Sequence, residues 1–143
     1  MAGNVIAISE AVSLGFHGMA LLAASKKRLS ARDMAKALSV SEAHLTKIFQ
    51  RLARHGLVRS VRGPGGGFEL GQSPDKISLL SIYHIIEGAP EPGQHFCSCC
   101  ENCIFENCIF DDILQESARQ FLDYLSRTTL DSALLRSRET PDE

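Results

Sequence analysis

From Ile6 to Ala24 the chain is apolar, with small residues scattered through it. That length predicts a buried helix of four to five turns. The pattern changes at Ser30, which is followed three residues later by Asp33. This is a capping box, in which each side chain satisfies a free backbone N–H of the first helical turn. Leu29 and Met34 flank it at the spacing of a hydrophobic staple, and the helix is predicted to run to about Leu38. Ser39-Val40-Ser41 forms a short turn, with Ser41 as the next N-cap and Val40 and Leu45 as a second staple. A second helix follows from Glu42 to about His55 and stops at Gly56, a natural left-handed C′ residue.

That second helix has two faces. Leu45, Ile48, Phe49 and Leu52 recur at helical spacing and form its buried stripe. At 100° per residue, His44, Lys47, Gln50, Arg51 and Arg54 fall on the other side. An ordinary surface helix also carries charge outward, but here the charge has one sign. The helix also follows a capped helix and a three-residue turn, an arrangement that fits a major groove. Leu57 to Arg62 and Phe68 to Leu70 then read as two short strands joined by Gly63-Pro64-Gly65-Gly66-Gly67. A phosphate-binding loop is excluded because no Gly-Lys-Ser/Thr follows and no helix begins there. A β-hairpin wing suits the glycines instead, since a backbone without Cβ can lie close to a sugar-phosphate chain.

After Ser73-Pro74 a short helix is expected from about Leu79 to Glu87, ended by Gly88, with Leu79, Ile82 and Ile86 inward. Residues 89–93 break the pattern. A long amphipathic stretch closes the chain, from about Phe110 to Ser126, with Phe110, Ile113, Leu114, Ala118, Phe121, Leu122 and Leu125 as its apolar stripe. Core packing is one account of that stripe; burial against a second copy is the preferred one. The fold class is therefore mainly α with a small β-hairpin wing. A winged helix-turn-helix domain spans 1–88, a cysteine-rich loop 89–109, a dimerisation helix 110–135 and a disordered tail 136–143.

With 143 residues, the chain suits one domain and an accessory element. Its net charge of -2 conceals an asymmetry. Ser25 to Arg62 holds ten Lys or Arg against two acids, whereas Glu87 to Glu143 holds four Arg against twelve acids. One end can attract a polyanion that the other repels. Lys26, Lys27 and Arg28 end the only promising apolar run short of the ~20 residues of a membrane span. No basic residues precede that run and no cleavage site follows it, so it is not a secretory signal. A soluble cytoplasmic protein without a membrane partner is expected.

All five cysteines lie between Cys97 and Cys108. An odd count without a secretory signal argues against a disulfide framework. Three readings of the thiols compete. Zinc would usually take two paired sets of ligands; Cys100 and Cys103 form one Cys-x-x-Cys, but no second pair exists at a distance. A dithiol switch would use Cys99 or Cys100, yet adjacent cysteines do not readily bridge. An iron–sulfur cluster held by three thiolates on one loop, with a weaker ligand from elsewhere, fits the spacing better. No paired carboxylates and no Ser-His-Asp set suggest an enzyme. His95 near Cys97 could activate a thiolate, although a flexible loop histidine is the plainer reading.

The run from Ser41 to Leu52, then His55-Gly56-Leu57-Val58, then Arg62 to Leu70, resembles the Rrf2 family of bacterial winged-helix regulators. Ile77-Ser78-Leu79-Leu80, the cysteine loop and Thr129-Leu130-Asp131 continue the resemblance over nearly the whole chain. It implies a homodimer on palindromic double-stranded promoter DNA, with the long C-terminal helix as the seam. It also implies an iron–sulfur cluster (2Fe–2S or 4Fe–4S) that sets DNA affinity, with a zinc-binding or clusterless regulator as the alternative. By position, the cluster thiolates would be Cys97, Cys103 and Cys108, with Cys99 and Cys100 as alternates. The fourth ligand stays open. Asp111 stands where one branch has a histidine, while other branches recruit a carboxylate or histidine from the first helix, where Ser9, Glu10 and His17 are available. Charge and geometry place Ser41, Glu42, His44, Lys47 and Arg51 near the groove. Arg59, Arg62, Gly65 and Gly66 are placed on the backbone or minor groove.

Overall fold

The computed structural model describes residues 7–97 and 102–138. The N-terminal apolar segment forms α1 (Glu10–Ser25), which starts where Ser9 accepts a hydrogen bond from the Val12 N–H. Val12, Met19 and Leu22 are completely or almost completely buried. Two glycines set how closely its neighbours approach. A Cβ on Gly15 would stand 2.3 Å from Ile86 Cδ1, and one on Gly18 would stand 2.5 Å from the Phe49 ring.

Helices α2 (Ala31–Leu38) and α3 (Glu42–Arg54) begin at the expected caps, Ser30 and Ser41. The Ser30 hydroxyl accepts from the Asp33 N–H at 3.0 Å and donates to the Asp33 carboxylate at 2.8 Å. The capping box thus closes through its two side chains. Leu45, Ile48, Phe49 and Leu52 form the buried face of α3, as their spacing predicts.

The wing is an antiparallel pair, β1 (Val58–Val61) and β2 (Gly67–Leu70), with Val58 opposite Leu70 and Val61 opposite Gly67. Leu29 adds a short third edge by exchanging two backbone hydrogen bonds with Phe68, at 3.0 and 2.8 Å. Phe68 is buried, with its ring centroid 5.3 Å from that of Phe49. The wing is thereby fastened to both α1's exit and α3.

A single 3-10 turn, Pro74–Lys76, leads into α4 (Leu79–Glu87), whose Ile82 and Ile86 face inward. Leu79 is half-buried. Helix α5 (Asp111–Arg127) buries only Asp111 and Leu125. It rests on α4 through an edge-to-face contact of Phe121 with Tyr83, centroids 5.6 Å apart. Ile113 is 64% exposed, and Phe110 and Leu114 are also open to solvent.

The C-terminal stretch expected as one helix over 110–135 is two. The chain extends at Thr128, and Thr129 restarts it as α6 (Leu130–Arg138). Thr129 and Ser132 cap each other: each hydroxyl accepts from the other's N–H, at 3.2 and 3.0 Å. Between the helices, Leu79 N–H donates to Thr128 C=O at 2.9 Å and Leu130 N–H donates to Ile77 C=O at 2.8 Å. Leu130 joins the main core, which therefore extends past the boundary expected at 88. Residues 136–138, expected in a disordered tail, are the last turn of α6. The remainder of that tail, 139–143, lies outside the described residues.

Replacing Gly18 by Ala should force α1 and α3 apart. We expect a loss of about 1–3 kcal/mol, read as a lower denaturant midpoint. An unchanged midpoint would contradict the packing of α1 on Phe49.

Candidate nucleic-acid interface and cysteine loop

Helix α3 presents Glu42, Ala43, Lys47, Gln50, Arg51 and Arg54 to solvent. Ser41 is the cap, its hydroxyl accepting from the His44 N–H at 3.3 Å. Two of the expected groove residues contact other helices of the same chain. His44 is half-buried, its Nδ1 4.0 Å from a Glu10 carboxylate oxygen of α1. Arg51 donates from Nη2 to the Ile85 carbonyl at 2.7 Å, near the C-terminal end of α4. Both contacts span long sequence distances, so helical spacing carries no sign of them. Glu42, Lys47, Gln50 and Arg54 remain as the open polar set on this helix.

At the wing, Gly66 N–H donates to Gly63 C=O at 2.8 Å and closes the tip turn. A Cβ on Gly66 would sit 2.4 Å from the Val61 carbonyl. Gly67 has φ +144 and no room either, with the Leu29 carbonyl 2.1 Å from where its Cβ would be. Gly65 faces open space at the tip. Arg62 is exposed and has no acidic partner among the described residues.

Arg59 does have one. Its Nε lies 3.6 Å from a Glu69 oxygen, and the other Glu69 oxygen accepts from Arg28 Nε at 3.3 Å. Arg28 also donates to the Gly65 carbonyl at 3.4 Å. Glu69 thus sits between two guanidinium groups at the wing's base. A cleft of about 330 Å³ opens beside it, lined by Lys26, Lys27, Arg28, Arg59 and Gln72. Lys26, Lys27 and Arg28 belong to the cationic stretch from Ser25 to Arg62, but helical spacing alone does not bring them beside the wing.

The cysteine loop hangs from the first turn of α5. Cys97, Cys103 and Cys108 are half-buried, and Cys99 and Cys100 lie outside the described residues. Among the described residues, no three His, Cys, Asp or Glu side chains are gathered as a ready metal site. The donor chemistry nevertheless fits an iron–sulfur cluster, because anionic sulfur binds iron well.

Asp111, 8% exposed, holds the loop's two ends together. Its Oδ1 accepts from the Phe96 N–H at 3.3 Å, and its own N–H donates to the Cys108 carbonyl at 3.4 Å. Its Oδ2 takes Gln115 Nε2 at 2.5 Å and lies 3.4 Å from His95 Nδ1. Burial pushes the Asp111 carboxyl up, but the hydrogen bonds from Gln115, His95 and Phe96 outweigh it. They hold the group below its ordinary value. Of the other candidates for a fourth ligand, Ser9 caps α1 and also donates to the Glu87 carboxylate. Glu10 faces His44, and His17 Nδ1 donates to the Ser13 carbonyl at 2.7 Å.

Comparison with known proteins places this geometry. The HTH-type transcriptional regulator IscR of Pectobacterium carotovorum subsp. carotovorum (strain PC1) is 30% identical over 114 residues, covering 77% of this chain and 66% of that protein. The chain spans about half to two thirds of the length of the curated relatives it matches. Among solved structures, T. potens IscR superposes with a TM-score of 0.76 at 23% identity, covering 97% of this chain and 93% of its own. CymR, the global cysteine regulator of B. subtilis, superposes with a TM-score of 0.72 at 26% identity, covering 92% and 98%. These relatives are transcription regulators, not enzymes, and no helix among the described residues is long and apolar enough to cross a membrane. The Rrf2 family, described as iron-dependent transcriptional regulators, matches residues 8–135, and this winged-helix chain belongs to it.

Proposed function

We propose that the chain works as a homodimer on double-stranded promoter DNA, with an affinity set by an iron–sulfur cluster on Cys97, Cys103 and Cys108. The observation that carries this reading is the attachment of the three-thiol loop to the first turn of α5, through Asp111. That same helix leaves Phe110, Ile113 and Leu114 exposed in a single chain. Loop order and the placement of a second copy therefore meet on one helix. The family's description as iron-dependent supports iron as the metal.

When bound, the cluster supplies iron that thiolates can hold and that oxidants or nitric oxide can attack. The rest falls to the chain. Fastened loop ends fix the start of α5; α5 sets how two copies meet; and that placement sets the distance between two α3 helices. Successive major grooves are roughly 34 Å apart, so a change of spacing alters affinity. A coupling of ~1–3 kcal/mol makes a useful switch. Lys47, Gln50 and Arg54 face the groove together with Glu42, whose carboxylate can accept from a cytosine amino group. Arg62 and Gly65 meet the backbone at the wing.

A second reading has its own support. The three thiols are not gathered among the described residues, and CymR, a structural relative, is a global cysteine regulator. On that reading the loop binds zinc or a protein partner, or responds to thiol oxidation, without a cluster.

Anaerobic purification followed by promoter binding of holo and apo protein at fixed salt separates these. A brown protein whose two forms differ by about 5- to 150-fold in affinity is expected; a colourless one favours the second reading. Lys47→Ala should weaken DNA binding across sequences and lower the slope of log affinity against log salt by about 1. Ile113→Asp should shift the holo protein to monomer in sedimentation. A dimer that persists would place the seam elsewhere.

A further inference from the structure

The cationic cleft at the base of the wing has no part in the function proposed above. Lys26, Lys27, Arg28 and Arg59 line it with Glu69, so four cations face one carboxylate. Glu69 holds Arg28 and Arg59 and leaves the lysines unmatched. Lys26 and Lys27 are exposed, and neither has an acidic partner among the described residues. A concave surface with that excess of positive charge attracts an anion.

Its position says which anion. Arg28 Nη1 donates to the Gly65 carbonyl at 3.4 Å, so the guanidinium lies at the wing tip. A sugar-phosphate chain that meets the tip is within reach of Arg28, and Lys26 and Lys27 directly precede it. The strands fix the side. Phe68 packs on Phe49 of α3, and successive strand residues point to opposite faces. Glu69 and its cross-strand neighbour Arg59 therefore face away from α3. The cleft opens on the far side of the wing from the helix that meets the groove.

We propose that Lys26, Lys27 and Arg28, with Arg59, form a second phosphate-backbone site that takes duplex DNA outside the stretch read by α3. The inference rests on the DNA reading proposed above. Phosphate contacts fix position and carry no sequence information, so this site adds affinity to every sequence alike. Glu69 tempers it: one carboxylate between two guanidinium groups keeps them oriented and cancels part of their charge. The plainer role for the lysines is to complement the C-terminal end of α1, which would show in stability and not in DNA binding.

The test uses the full chain and a duplex that it selects from a randomised pool, extended by one helical turn on each side. Affinity is measured across a salt series, and hydroxyl-radical cleavage maps the protected backbone. Lys26 is the left-handed cap of α1, with φ 54, so it is changed to the residue that suits that conformation. The double variant Lys26→Gly, Lys27→Ala should lower the slope of log affinity against log salt by about 2 for each wing engaged. It should also lose protection beyond the base pairs whose identity matters, and keep its sequence preference. Glu69→Gln should tighten binding to all sequences alike and steepen the salt dependence, a gain that loss of fold cannot produce. An unchanged slope and footprint in the double variant, or a Glu69→Gln protein that binds no tighter, overturns this site alone. A wild type that selects no duplex overturns it together with the DNA reading.

Discussion

One aromatic ring, Phe49, holds the helix-and-wing half of the molecule together. It is fully buried on α3, seats against Gly18 of α1, and tilts against Phe68 of the wing. Helix and wing must keep a fixed relation if both are to meet one duplex, and this three-way contact supplies it. Because interiors are packed to crystal density, the ring cannot shift without displacing α1 or β2. Arg51 adds a tie from α3 to the last turn of α4. The relation between α3 and the wing is therefore rigid within a chain.

The other half is held loosely by comparison. Helix α5 buries two residues and leans on α4 through Tyr83 and Phe121. Its first turn carries the Asp111 hub, which reaches the backbone on both sides of the cysteine loop. Elements with few buried apolar contacts open at low free energy, and conformational responses are drawn from them. The molecule thus divides into a stiff reader and a compliant arm, with the thiols on the arm.

Much of this was legible in the sequence where the determinants are local. Ser30, Ser41, Gly56 and Gly88 mark helix ends through bonds that span three or four residues, and the structure has helix ends at or beside each of them. The wing followed from a glycine-rich tip between two short strands, and at Gly66 and Gly67 the structure leaves no room for a Cβ. What escaped depends on distant partners. The capping pair Thr129 and Ser132 lacks the acidic residue that usually flags a capping box, so α5 and α6 read as one helix with a tail. Arg51 looked like a free cation because Ile85 is far away in sequence. Glu69 lies between Arg28 and Arg59, a placement that strand alternation does not signal. The hub at Asp111 was visible only once the chain was folded, because Phe96 and Cys108 meet it from opposite ends of the cysteine loop.

The crossing at Thr128 and Ile77 has a further consequence. Because Leu130 returns to the core that α1 and α4 build, everything between Gly88 and Thr128 is an excursion whose two ends are pinned to the same body. The entropy of closing such an excursion grows slowly, by about 0.6 kcal/mol for each doubling of its length. Residues can be added to it, removed from it or exchanged while the body beneath keeps its shape. A scaffold of this kind lets that one stretch of chain diversify without disturbing the helices and wing it is pinned to.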